Sequence, residues 1–230
     1  QRFEEGGWAK DAVICLRGYG PGDGGGLQRP FTDRKAIDSG RPEGTDIIIL
    51  FFNTLLEATE EEFPNLHLTY LVYSWHSDYP ELYKPHPRIA VEVADLNYSR
   101  FHGVGCMSSR HRHYFRNVLE MWSKLHEEQG NVLHRYYYGY NVANGYLPIS
   151  KIKVFGEGIP YEHGLGFTGQ RFNLYDNWEV SGANNYVAAR LVWDHTQDWR
   201  DLVREFCQKS YGPAAGIMER YFLAMAERQR

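Results

Sequence analysis

Short runs of branched and aromatic residues alternate with longer helical patterns along this chain, and that alternation constrains its fold most. Asp11 to Leu16 (DAVICL) reads as a first strand, followed by the glycine-rich loop Arg17 to Gly26. Thr45 suits a helix cap, with Ile47 to Phe52, Leu55 and Leu56 as the buried side of a helix that Pro64 closes. His67 to Ser74 (HLTYLVYS) reads as a second strand, and Arg88 to Leu96 (RIAVEVADL) as a third. Phe115, Val118, Leu119, Trp122 and Leu125 then mark one face of a helix, with Gly130 where a C′ glycine belongs. Asn131 to Tyr140 (NVLHRYYYGY) is a fourth strand. Lys151 to Leu165 is a helical pattern interrupted by Gly and Pro, and Phe167 to Tyr175 is the fifth strand. Helices over Asn185 to Trp193, Asp198 to Tyr211 and Pro213 to Arg228 complete the chain, with Asp198 a good N-cap and Pro213 at a first helical position.

Five strands with helices between them imply βαβ units and a parallel sheet. Such a sheet is either open and doubly wound or part of a closed barrel. The phosphate-binding signatures of open sheets are missing. Gly20, Gly22, Gly24, Gly25 and Gly26 follow a strand, but no helix opens directly behind them, and no P-loop Lys-Ser/Thr occurs.

Composition narrows the partners. The 17 Tyr, 12 Phe and 6 Trp residues make 15% of the chain, enough both for an aromatic core and for rings that stack on a flat ligand. A net charge of −4, with Lys and Arg scattered, argues against a nucleic-acid partner. No apolar run approaches a membrane span. Cys15, Cys106 and Cys207 are far apart and odd in number, so neither a zinc knuckle nor a disulfide framework is expected. His111 and His113 lack a third ligand nearby, so no metal and no cofactor is expected. No G-x-S-x-G elbow occurs.

In a barrel the residues just past each strand surround the active site. Those places hold Tyr19 and Asp23, then Tyr73, Trp75, His76 and Asp78. Asp95, Asn97, Tyr98 and His102 follow the third strand, and Tyr138, Tyr140 and Asn141 the fourth. Tyr175, Asp176, Asn177, Trp178 and Glu179 follow the fifth, in a loop expected to run from Asp176 to Asn184. Rings for C–H faces, with amides and carboxylates for hydroxyls, make a sugar site. Tyr73, Trp75, His76, Asn97, His102, Tyr138, Tyr140, Asn141, Tyr175 and Trp178 are its expected substrate contacts. Glycosidic cleavage needs two carboxylic groups, for which Asp176, Glu179, Asp95 and Asp23 are the candidates. Glu92 alternates with Val91 and Val93, and a buried strand carboxylate needs a partner; Arg135 on the next strand is the expected one.

The order of motifs resembles a bacterial family called Domain of Unknown Function 4838. Asn177-Trp178 and Gly182 precede Tyr186-Val187-Ala188-Ala189-Arg190-Leu191-Val192-Trp193-Asp194. Glu205-Phe206, Tyr211-Gly212, Ala214-Ala215 and Tyr221 continue the match. Upstream, Leu71-Val72-Tyr73, Lys84-Pro85-His86-Pro87, His102, Cys106 and Trp122 fit the family's pattern more loosely. Relatives often carry Asn-Asp-Gly and a Cys-x-Cys-like stretch after the first strand seen here; this chain has Gly20-Pro21-Gly22-Asp23-Gly24 instead.

The resemblance implies a glycosidase-type (β/α)8 TIM barrel, similar in architecture to α-glucuronidases and, in some relatives, an endo-β-N-acetylglucosaminidase. This chain would supply its C-terminal portion of about five βα units, over residues 1–195. Residues 196–230 would form extra helices packed on the barrel. The implied activity is hydrolysis of O-glycosidic bonds in a complex glycan or polysaccharide, in a periplasmic or extracellular setting. The alternatives are a non-catalytic carbohydrate-binding barrel and an incomplete chain inactive alone. The oligomeric state is left open.

Overall fold

A computed structural model describes residues 13–14, 37–42, 44–73, 77–95, 102–106, 108–129, 131–137, 149–173 and 178–228. Its strands are β1 (Val13–Ile14), β2 (His67–Val72), β3 (Ile89–Ala94), β4 (Val132–Tyr136) and β5 (Gly169–Phe172). Its helices are α1 (Thr45–Ala58), α2 (Arg110–Gln129), α3 (Ile152–Gly164), α4 (Trp178–Trp193), α5 (Trp199–Tyr211) and α6 (Ala215–Arg228). The strands form one sheet in sequential order, and every neighbouring pair is parallel. The expected α/β class with a parallel sheet is therefore what the chain adopts.

Strand residues point alternately to the two faces, so the register defines what each face carries. One face holds the rows Tyr70–Val91–Val132 and Val72–Val93–His134–Gln170. Helices cover this face. Tyr70 meets Phe52 of α1 and Trp122 of α2, His134 meets Phe115 of α2, and Tyr136 and Phe172 meet Phe155 of α3. A buried carboxylate also locks α3 to the sheet here. Glu162 accepts from the Tyr136 hydroxyl at 2.5 Å and lies 2.7 Å from His134 Nδ1 and 3.4 Å from Gln170 Nε2. Burial, with that carboxylate alongside, pushes the Tyr136 phenol well above its ordinary range.

The opposite face holds Leu71–Glu92–Leu133–Gly169 and, one step toward the strand ends, Ala94–Arg135–Arg171. It carries a charged ladder. Glu92 binds Arg135 at 3.1 Å and Arg171 at 2.8 Å, so the Glu92–Arg135 pairing expected from the sequence is present.

Several element ends differ from expectation. Thr45 does not cap α1: Gly44 holds that position, and Thr45 is the helix's first residue. α1 stops at Ala58 rather than near Phe63, because Glu60, Glu61 and Glu62 would set three like charges against the negative end of the helix dipole. Its buried stripe is Ile49, Phe52 and Leu56, while Ile47 and Phe51 face outward, as a 3.6-residue period requires. α4 starts at Trp178, so the loop expected up to Asn184 is helical from there. Gly182 does not break this helix; an added Cβ would meet Trp178 Nε1 at 3.0 Å and Phe206 at 3.2 Å, so the position is one of close packing.

Helices α5 and α6 pack with α3 and α4 into a second hydrophobic cluster around Phe155, Val187, Leu191, Val203 and Phe206. Asp198 caps α5 as expected, accepting from the Arg200 amide at 2.7 Å and the Asp201 amide at 3.3 Å. Replacing Asp198 by alanine is expected to lower stability by about 1 kcal/mol, measured by urea unfolding, with Asp198→Asn close to the parent. Pro213 sits in the short 3-10 turn Gly212–Ala214 that leads into α6.

Candidate functional site

In α/β sheets ligands bind beyond the carboxyl ends of the strands. Parity places four described side chains on the face opposite α1, α2 and α3 at those ends: Tyr73 after β2, Arg135 and Tyr137 at the end of β4, and Asn173 after β5. The Tyr73 and Tyr137 rings lie 6.3 Å apart at 36°. Arg135 lies under the Tyr137 ring, 5.1 Å from its centroid, and its Nη2 donates to Asn173 Oδ1 at 3.2 Å. Ala94, buried between Tyr73 and Arg135 in the sheet, is small enough for the two tyrosines to approach over it. Glu92 holds the same Arg135 guanidinium from below. The result is an aromatic pair beside a fixed guanidinium and an amide, a set suited to a polar ligand with a flat apolar face.

Asp95 lies at the end of β3 and is buried. Its Oδ1 accepts from the Tyr137 amide at 2.7 Å, its Oδ2 faces Arg112 at 3.8 Å, and its own amide donates to the Arg135 carbonyl. These bonds engage the carboxylate in joining β3 to β4. His102 is partly exposed. Trp178, at the first residue of α4, is 57% exposed and leans edge-on against Phe206. Glu179 occupies the first turn of α4, so it lies on a helix rather than in a loop. Asp23, Trp75, His76, Asn97, Tyr138, Tyr140, Asn141, Tyr175 and Asp176 lie outside the described residues.

Tyr137, Arg135 and Asn173 were not among the expected contacts. β4 was expected to run to Tyr140 and β5 to Tyr175, which moves the strand-end positions outward; β4 ends at Tyr136 and β5 at Phe172. Alternation was the available signal. With Val132, His134 and Tyr136 on the helix side, Arg135 and Tyr137 fall on the other.

A cavity of about 580 Å3 opens elsewhere, between α2, α3 and the 103–106 loop, lined by Val104, Cys106, Arg116, Lys153, Glu157 and Tyr161 among others. Its cations are already paired, Arg116 with Glu120 at 2.8 Å and Lys153 with Glu157 at 3.9 Å and Glu227 at 3.3 Å. The Cys106 thiol, 3.1 Å from the Ser108 hydroxyl, is held below its ordinary pKa chiefly by that hydrogen bond. Among the described residues no three His, Cys, Asp or Glu side chains converge on a metal position, and no helix is long and apolar enough to cross a membrane.

The described residues define an α/β protein with a sequential parallel sheet, α1, α2 and α3 on one face, and an aromatic and polar set at the strand ends of the other. The family model described as "Domain of unknown function (DUF4838)" matches residues 30–224, and the chain belongs to that family. No curated protein and no solved structure matches it.

Proposed function

We propose that the chain is the C-terminal portion of a (β/α)8 barrel that hydrolyses O-glycosidic bonds of a complex glycan or polysaccharide. The observation that carries this reading is the strand-end cluster opposite α1, α2 and α3, where Tyr73, Tyr137, Arg135 and Asn173 gather. Sequential strand order favours a barrel, because a doubly wound sheet reverses its strand order at a switch point. In a barrel the face opposite the helices is the interior, and its upper rim is the cleft. A tyrosine pair there would take the C–H face of a sugar ring, while the guanidinium and amide would order its hydroxyls.

Cleavage would need one carboxylic acid to protonate the leaving oxygen. A second carboxylate, or the substrate's own N-acetyl group, would act at the anomeric carbon. Asp176 and Glu179 are the acids nearest in sequence to the end of β5, and Asp23 is a further candidate. A substrate of this kind puts the protein's work in the periplasm or outside the cell. Assay on aryl glycosides and N-glycans tests the reading. Turnover should fall on the order of 100-fold or more in Asp176→Asn or Glu179→Gln. Absence of turnover across the panel, with both variants indistinguishable from the parent, would overturn it.

A second reading, glycan binding without catalysis, draws on Asp95. Its two oxygens are engaged by the Tyr137 amide and Arg112, which favours a structural role for one of the four candidate acids. Saturable saccharide binding with no turnover would decide for this reading.

A further inference from the structure

Two strand-end features meet on one buried side chain. Arg112, on the first turn of α2, is 1% exposed. Its Nε donates to the His102 carbonyl at 2.6 Å, and its Nη2 lies 3.8 Å from Asp95 Oδ2. The other oxygen of that carboxylate holds the Tyr137 amide at 2.7 Å. The guanidinium also lies over Phe115, 5.2 Å from the ring centroid, so the side chain is wedged against the core as well as bonded at its tip. Its Nη1 has no partner among the described residues. A buried cation with an unsatisfied donor is a poor choice for stability alone, where an apolar side chain of similar size serves better. One guanidinium here reaches two acceptors at once, the His102 carbonyl by a hydrogen bond from Nε and the Asp95 carboxylate by charge across 3.8 Å.

We propose that Arg112 is a positioning residue for the strand-end site, setting the 102–106 loop through the His102 carbonyl and the backbone of Tyr137 through Asp95. Tyr137 in turn carries the ring that faces Tyr73, so one guanidinium registers the loop after β3 against the aromatic wall after β4. The proposal rests on the strand-end reading of the site, but its test does not.

Hydrogen exchange on the folded chain reads both arms at once. The Tyr137 amide reports the Asp95 arm. The Cys106 amide, which donates to the Gly103 carbonyl at 3.1 Å, reports the loop arm. Amides of α5 serve as controls. Arg112→Gln is expected to speed exchange at both reporters on the order of fivefold to tenfold. Arg112→Lys keeps a charge beside Asp95 but has no counterpart of Nε to reach the His102 carbonyl, so it should speed Cys106 and leave Tyr137 near the parent rate. Asp95→Asn should do the reverse.

Equal loss at both reporters in the lysine and asparagine variants, or loss spread evenly into α5, would overturn the proposal in favour of ordinary core packing. So would unchanged rates. The lysine and asparagine pair carries the test alone if Arg112→Gln fails to fold. On a saccharide the parent binds, Arg112→Lys should raise Kd or KM more than it lowers kcat. Failure to bind any saccharide counts against the site reading and leaves the exchange pattern to judge Arg112.

Discussion

Replacing Gly156 by alanine is expected to cost about 3 kcal/mol, a large share of an ordinary domain's stability. Gly156 lies in α3 against Trp199 of α5. An added Cβ would come within 2.3 Å of Trp199 Cδ1, 2.4 Å of Cγ and 2.8 Å of Cβ. The first two atoms belong to a buried ring and the third is fixed to the backbone, so rotating the side chain does not clear the clash. Helix propensity pulls the other way, since alanine is better than glycine by roughly 1 kcal/mol in a helix interior. The steric term wins because α3 and α5 can separate only by opening the cluster around Phe155, Val203 and Phe206. Gly164, at the end of the same helix, has nothing within 4 Å of an added Cβ. Gly164→Ala should therefore be neutral or stabilising by up to about 1 kcal/mol. Urea unfolding followed by tryptophan fluorescence compares the two. Equal midpoints for Gly156→Ala and the parent would mean that α3 and α5 do not meet at this glycine.

The fold was legible where periodicity is long and one-sided. The stripe Phe115, Val118, Leu119, Trp122 and Leu125 defines α2 without help from other elements, and all five side chains are buried. The alternation around Glu92 also predicted its partner, because a carboxylate between Val91 and Val93 must meet a cation from a neighbouring strand. Strand ends were not legible. Tyr136 to Tyr140 (YYYGY) has strand-forming residues at all but one position, so propensity runs on past the point where pairing stops. Tyr137 was therefore not among the expected contacts, while the expected Tyr138 and Tyr140 lie outside the described residues. The α4 start was hidden for the opposite reason. Gly182 reads as a loop residue, and only the distant Phe206 and the local Trp178 show why glycine is needed inside a helix. Glu162 gave no local sign at all. Its partners His134 and Tyr136 lie 28 and 26 residues away and become neighbours only when α3 folds onto the sheet.

Removing the Glu92 carboxylate should test both the sheet and the site on it. Glu92→Ala leaves Arg135, 4% exposed, without its Glu92 carboxylate and with the neutral Asn173 amide oxygen, while Arg171 is half-exposed and can turn to water. Stranding a buried guanidinium in this way is expected to cost about 3–5 kcal/mol. Glu92→Gln keeps one acceptor and should fall between the alanine variant and the parent. The paired replacement Glu92→Leu with Arg135→Leu removes both charges, and buried ion pairs replaced by apolar groups often lose little or nothing. Most of the stability should therefore return in the double variant, as a double-mutant cycle of urea midpoints would measure. Ligand binding should not return with it. Arg135 also holds the Asn173 amide and lies under the Tyr137 ring, and leucine replaces neither contact. A stable double variant that has lost saccharide binding would assign the ladder to the site as well as to the fold. A loss below about 1 kcal/mol in Glu92→Ala would instead mean that water screens this face, as it does an exposed pair. The Glu92 side of the sheet would then be an open surface rather than the wall of a cleft.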